Sequence, residues 1–489
     1  MRLLAIDLGA ETGRAVAGTF DGEQIVLEEV CRFPNRPVET AGTLHWDALR
    51  LYADLVDGIR AAGRIASVGI DTWGVDFGLL DRAGHLLGNP VHYRDHRTEG
   101  MLEEAFRRVP RQEIYARTGI QFMPINTLYQ LLALVRSGDP QLEAAHRLLM
   151  MPALIAYWLC GTQADEFTAA TTTQCYDPQT GAWATDLLDR LDIPSRIFGE
   201  VVQPGTELGP LRLELDLGPV KVIAPGTHDT ASAVAAVPFD TQRRPAYISS
   251  GTWSLVGLEM PHPVISSAAL DSNLTNEGGV AGTFRLLKNV MGLWLLQECR
   301  RAWAAGTIAE LPYDDLLRLA EQAPAFGAVI DPDDERLLRP GDMPAMLSTL
   351  AAENGSSLPP DPGSVTRCIF ESLAVKYRWT IEQLEQVTAS HIEAIHVVGG
   401  GANNRLLCQM TADACGRPVF AGPVEATAMG NLVLQAMTLG LVASLDQARE
   451  LIRRSVSVET FEPMPSRGWE DAWHRSHRGR HAGAERRLA

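Results

Sequence analysis

Twice along the chain, a short apolar strand runs into a turn of small residues carrying a threonine and leaves it as a second strand. Residues 2–14 do so around Gly9-Ala10-Glu11-Thr12-Gly13, and residues 246–257 around Ser250-Gly251-Thr252-Trp253-Ser254. Two starts of one kind, about half a chain apart, predict two related α/β halves with a boundary near Pro245. The length agrees, since 489 residues hold two or three domains at about 100–200 residues each. The division expected is 1–245, 246–455 and a C-terminal tail 456–489.

The rest of the pattern fills in these halves. Residues 14–20 and 24–33, punctuated by Asp21-Gly22, continue the first strand as a meander. Apolar spacing predicts helices over 46–62, 127–159 (interrupted around Gly138-Asp139-Pro140), 289–303 and 364–387. Strands are expected at 66–71, 221–224, 246–249 and 393–398, with 74–80 as the hairpin partner or continuation of 66–71. The stretch 324–362, rich in Pro, Gly and acidic residues, is expected at the surface. After Pro463 the chain turns basic and hydrophilic, which predicts a frayed or partly disordered tail.

Charge narrows the function classes. A formal net charge of −17 argues against nucleic acid or an anionic membrane as the main partner, while leaving room for a locally positive nucleotide pocket. The seven cysteines, Cys31, Cys160, Cys175, Cys299, Cys368, Cys408 and Cys415, are scattered and form no CxxC, so buried reduced thiols are expected. The chain opens MRLLAIDLGAETGR on a strand without an apolar signal core, and no apolar run approaches ~18 residues. A cytoplasmic protein is the expectation.

Four motifs carry candidate chemistry. Asp7 ends an apolar strand before the Gly9–Gly13 turn; it could hold a water of Mg²⁺, with Gly9 and Gly13 opening backbone N–H groups to phosphate, Thr12 donating a hydroxyl and Arg14 neutralising charge. A plain hairpin with a solvated Asp fits equally well, and the P-loop spacing is absent. Gly226-Thr227-His228-Asp229-Thr230 places Asp229 as a base for a substrate hydroxyl beside His228, or else as a helix N-cap. Gly399-Gly400-Gly401, between a buried strand and a helix, exceeds what a tight turn needs and favours nucleotide contact. Asp71-Thr72-Trp73-Gly74-Val75-Asp76 puts polar groups beside a ring, as a sugar site does, or is a turn with one core Trp. Together the four point to a ligand cleft between two domains.

The strings DLGAETGR (7–14), GIDTWGVDFGLLD (69–81), YRDHRT (93–98), GIQFMPINTLYQL (119–131), HDTASAV (228–234), SSGTWSLVG (249–257), LKNVMGLWLLQ (287–297), GGGANN (399–404) and AGPVEATAMGN (421–431) resemble the FGGY carbohydrate kinases, and among them the bacterial rhamnulokinases. The resemblance runs from Leu3 to about Ser455. It implies a two-domain actin-like/hexokinase (ribonuclease H-like) α/β fold and ATP-dependent phosphorylation of L-rhamnulose to its 1-phosphate. It further implies ATP and Mg²⁺ as cofactors, a small-molecule sugar as the other partner, no nucleic acid or membrane partner, and a monomer or small homo-oligomer. By resemblance, Asp229 is the catalytic base; Gly74, His228, Asp229 and Thr230 contact the sugar. Ala10, Glu11, Thr12, Gly13 and Arg14 form the first phosphate loop; Thr252, Asn289, Gln297 and Gly400 contact the nucleotide; Asp7 lies near the metal. Glu11 stands where many members carry a small hydroxylated residue, so its carboxylate must turn from the phosphates or face the metal. Kinases for L-fuculose, D-xylulose or L-ribulose, and an actin-like ATP-binding protein without sugar chemistry, are the competing readings.

Overall fold

A computed structural model describes residues 1–239, 243–305, 311–464 and 466–476. They form two compact units: Met1–Pro238, Glu259–Leu287 and Glu425–Ser457 make the first, and Phe239–Leu258, Lys288–Val424 and the chain from Val458 onward make the second. After Pro245 the chain returns twice to the first unit. The larger return is the Ala426–Thr438 helix, whose fully buried Asn431 and Gln435 bond to the first sheet and make it part of that core.

The first unit is built on a six-stranded sheet in the order Thr206–Pro210, Lys221–Ala224, Ser67–Thr72, Arg2–Leu8, Thr12–Phe20 and Ile25–Pro34. Lys221–Ala224, Ser67–Thr72 and Arg2–Leu8 run parallel, and the other pairings are antiparallel. Arg2–Leu8 is buried almost throughout, as its apolar run Leu3–Ile6 demands of a strand covered on both faces. The Ala48–Ala62 helix starts where Asp47 accepts from the Arg50 backbone N–H and stops at Gly63, with φ 70°.

Two expectations fail in this unit. Phe77–Leu80 does not pair with Ser67–Thr72; it pairs antiparallel with Arg147–Met150 (Phe77 opposite Met150). The helical stretch 127–159 does break at Gly138-Asp139-Pro140, as expected, between Thr127–Ser137 and Pro140–Ala144, but that strand inserts a second, unexpected break before Met151–Cys160. Leu148, Leu149 and Met150 are apolar and fully buried on either reading, and periodicity does not separate a short buried strand from a buried helix turn.

The second unit repeats the plan. Pro245–Ser250 runs parallel to Ala394–Val398, which runs parallel to Val419–Ala421; Trp253–Met260 and Glu459–Phe461 pair antiparallel on either side. Pro362–Thr388 is a 27-residue helix capped by Asp361, with Pro362 in its first turn. The helix expected at 289–303 starts five residues later, at Trp294, because Phe284–Met291 is a strand and Gly292 and Trp294 donate to the Thr252 carbonyl at 3.2 and 3.1 Å. Within 324–362, Ala328, Val329 and Ile330 are buried and Met343–Glu353 is helical, so only part of that stretch is surface loop. In the tail, residues 467–476 are helical with Trp469 and Ala472 buried, in contrast to the frayed segment expected there; 477–489 lie outside the described residues. Five cysteines are buried, and Cys31 and Cys160 are half-buried, all as free thiols. Among the described residues, no helix is long and apolar enough to cross a membrane.

Candidate active site

Three carboxylates meet at the carboxyl ends of the three parallel strands of the first unit, where open α/β sheets place their ligands. Asp7 and Asp71 face each other in register. Thr72 bridges to His228 across the next gap, which brings Asp229 alongside. Asp71 is fully buried; Asn431 Nδ2 reaches its Oδ2 at 2.5 Å, and its Oδ1 has no hydrogen-bond partner. Burial, followed by the Asp7 charge, pushes the Asp71 pKa well above the usual carboxylate range.

Asp229 opens the Asp229–Ala235 helix but does not cap it; the N-cap is His228. The carboxylate instead accepts from the next residue, Thr230, through its backbone N–H at 2.5 Å and its hydroxyl at 3.1 Å. Surrounding protein, and less strongly Asp7, raise the Asp229 pKa, while His228 and Thr230 work the other way. The side chain is still 30% exposed, so a substrate proton can reach it. His228 Nε2 lies 3.5 Å from Asp229 Oδ1, and its Nδ1 faces the buried pair Glu277 and Arg285. Nothing in the sequence singled out these last two, which lie outside every motif.

The turn at residues 9–13 is held from two sides. Gly9 N–H donates to the Thr12 carbonyl, and Asn35 binds the Glu11 carbonyl through its backbone and the Gly9 carbonyl through Nδ2, each at 2.9 Å. Gly13 is also required by packing, since a Cβ there would stand 2.1 Å from the Phe33 ring. Arg14 is engaged by Asp7 at 2.5 Å and by Glu425. Burial opposes its charge, but the two carboxylates outweigh that and hold its pKa above the ordinary arginine value.

Gly74 sits in a strained loop. Val75 has φ 65°, a left-handed value that a β-branched residue rarely adopts, and three side chains lock it. Thr172 Oγ1 accepts from its N–H at 3.1 Å, while Thr127 Oγ1 and Gln130 Nε2 donate to its carbonyl at 2.6 and 3.3 Å. A Cβ on Gly74 would meet Thr172 at 3.0 Å. Trp73, by contrast, is core: its ring lies tilted against Trp46 with centroids 4.0 Å apart, and both indoles donate to the buried Asp76 carboxylate. Burial lifts Asp76 to about 6 against those hydrogen bonds. Burial also drives His92, stacked on Trp46, down to about 3.

The remaining sequence candidates lie in the second unit. Thr252 sits in the 250–253 turn, closed by a 2.8 Å bond from Gly251 N–H to the Trp253 carbonyl. Asn289 is on the Phe284–Met291 strand, and Gln297 on the Trp294–Ala305 helix has its Oε1 buried without a hydrogen-bond partner. Of the three consecutive glycines, Gly399 (φ 81°) and Gly401 are needed to fit against Ser250; only Gly400 is exposed, with open space where its Cβ would be. Among the described residues, no group of three or more His, Cys, Asp or Glu side chains forms a ready-made metal cage.

Comparison with known proteins supplies the context for this geometry. Residues 2–235 match the N-terminal domain of the FGGY family of carbohydrate kinases, and 246–439 its C-terminal domain. A rhamnulokinase of Bacteroides thetaiotaomicron is 44% identical over 477 residues, covering 96% of this chain and 97% of the relative. One of Oceanobacillus iheyensis is 40% identical, covering 95% and 99%. Among solved structures, a xylulose kinase from Lactobacillus acidophilus superposes with a TM-score of 0.80 at 18% identity, over 99% of this chain and 98% of that one. A Plasmodium falciparum glycerol kinase with ADP gives 0.74 at 16%, over 100% and 98%. At such identities the structures speak for the fold, while the full-length relatives and both domain matches speak for descent: the chain belongs to the FGGY family of carbohydrate kinases.

Proposed function

We propose that the chain transfers the γ-phosphoryl group of ATP to the C1 hydroxyl of L-rhamnulose, giving L-rhamnulose 1-phosphate and ADP, in L-rhamnose catabolism. Asp229 carries the reaction class: a carboxylate with a raised pKa, reachable from solvent, at the carboxyl end of a parallel sheet, is suited to take a hydroxyl proton. The ketose is supplied by the full-length relatives, which are named rhamnulokinases.

Phosphoryl transfer asks the protein for position and charge neutralisation more than for covalent chemistry. Asp229 orients and deprotonates the C1 hydroxyl, with Gly74, His228 and Thr230 holding the sugar. Ala10, Glu11, Thr12, Gly13 and Arg14 form the turn that receives phosphate, with Thr252, Asn289, Gln297 and Gly400 on the nucleotide. The orphaned Gln297 Oε1 supports that assignment, because a buried acceptor without a partner calls for a donor from a ligand.

A divalent metal fits the acidic end of the sheet. The Asp71 Oδ1 orphan and the mutual repulsion of Asp7, Asp71 and Asp229 are what a bound cation relieves, and hard oxygen donors suit Mg²⁺. Asp7, through water and with Asp71 beside it, would hold the ion. When bound, Mg²⁺ neutralises charge on the phosphate oxygens.

The test is a coupled ADP-release assay with MgATP against L-rhamnulose, L-fuculose, D-xylulose, L-ribulose and glycerol. L-Rhamnulose is expected to give the highest kcat/KM, with the 1-phosphate as product. A different preferred ketose overturns the substrate; no phosphorylation of any sugar overturns the kinase reading.

A further inference from the structure

His228 Nδ1 sits against a buried ion pair. Glu277, on the strand Thr275–Gly278, lies directly opposite Arg285, on the strand Phe284–Met291, and their side chains pair at 3.1 Å. Glu277 is 3% exposed and Arg285 0%. Arg285 Nε donates to the Gly278 carbonyl at 2.8 Å, which fixes the guanidinium plane. That plane brings Nη2 to 3.0 Å from His228 Nδ1, while Glu277 Oε2 lies 3.3 Å from the same nitrogen.

A guanidinium carries only donors and stays protonated in proteins. The shorter contact, 3.0 Å to Nη2, favours His228 Nδ1 offering its lone pair there over donating to Glu277 Oε2 at 3.3 Å. The ring proton is then on Nε2, the nitrogen 3.5 Å from Asp229 Oδ1. We propose that Arg285, held by Glu277, is a positioning residue that fixes His228 in the Nε2–H tautomer, so that the imidazole presents a donor beside the Asp229 carboxylate to a hydroxyl oxygen of the sugar. Without Arg285, Nδ1 takes the proton and donates to Glu277. Nε2 then turns a lone pair toward Asp229, which places two acceptors against each other and removes the donor. This role rests on the sugar-kinase reading above.

Two measurements test it. The first is ¹⁵N NMR of the full chain labelled in histidine, with His228 assigned by its loss in His228→Gln. The expected pattern is a protonated Nε2 and an unprotonated Nδ1; the opposite tautomer in the unaltered protein overturns the proposal. The second is kinetic. Arg285→Met, checked for cooperative melting, is expected to lower kcat/KM for the ketose about 10- to 100-fold, the loss of a hydrogen bond to a polar substrate group, while the KM for ATP holds. Its His228 signals are expected to move toward the Nδ1–H pattern, and Arg285→Lys, which keeps charge and a donor, is expected to recover part of the activity. A folded Arg285→Met with unchanged ketose kinetics overturns the proposal. If Arg285→Met does not fold, the tautomer in the unaltered chain decides. A chain that phosphorylates no sugar refutes the kinase reading, and the tautomer measurement still decides the Arg285–His228 contact.

Discussion

Replacing Asp229 by Asn keeps the shape of the side chain and its bonds to Thr230 but removes the basic oxygen. Turnover is expected to fall by about 10²–10⁴, the usual worth of a positioned base, with ATP binding largely spared, as read by kcat and by nucleotide titration. Near-normal turnover would mean that another group takes the proton. Asp165 gives a second prediction, on stability. Burial, only partly offset by its bond from Met150 N–H, lifts its pKa to about 7 from the 3.8 of a free side chain. Between those values the folded chain holds a proton that the unfolded chain has lost. Its contribution is therefore fully present near pH 4 and is lost as pH rises through about 7, by on the order of a few kcal/mol. Asp165→Asn is expected to flatten that part of the dependence of Tm on pH; an unchanged slope shows that Asp165 does not titrate there. Residues such as Asp7 and Asp229 were legible in the sequence because they sit at the ends of apolar strands beside glycine. Glu277 and Arg285 were not, because their meaning is a cross-strand pairing beneath His228 and no local pattern encodes it.

Gly430 shows what an element demands of one position. A Cβ there would stand 1.7 Å from the Ser232 carbonyl oxygen, so the Ala426–Thr438 and Asp229–Ala235 helices touch backbone to backbone. Glycine in a helix costs up to about 1 kcal/mol, and this close approach is what it makes room for. Gly430→Ala is expected to destabilise the protein by about 1–3 kcal/mol and to lower turnover, because the displaced helix begins at Asp229. Denaturant melts and kcat check this; an unaffected variant would show that the helices have slack. At this scale the inner strands of both sheets and the helices near 46–62 and 364–387 were readable from periodicity. The partner of Phe77–Leu80 was not, since register between segments 70 residues apart is set by packing that a linear reading lacks.

At the scale of the molecule, the chain leaves the first compact unit and returns to it twice, at Glu259–Leu287 and Glu425–Ser457. A fragment ending at residue 245 lacks Asn431, Gln435 and the Glu277–Arg285 pair, and is expected to be aggregated or to lack a cooperative melt when expressed alone. A soluble, cooperatively melting fragment would show that these returns are dispensable. Ser67 donates to Gln435 at 2.6 Å, and Gln435 donates to the Leu4 carbonyl at 2.9 Å and to Asn431 Oδ1 at 2.6 Å. These bonds span 368 and 431 residues between strand and helix, against 4 within the helix. Such separations give the first sheet a high contact order, and with it slow closure. A ribosome adding about 5–20 residues per second reaches residue 435 on the order of tens of seconds after it made Leu4. For that interval the oldest part of the chain waits, its inner strand without the helix that will cover it, for one of the youngest.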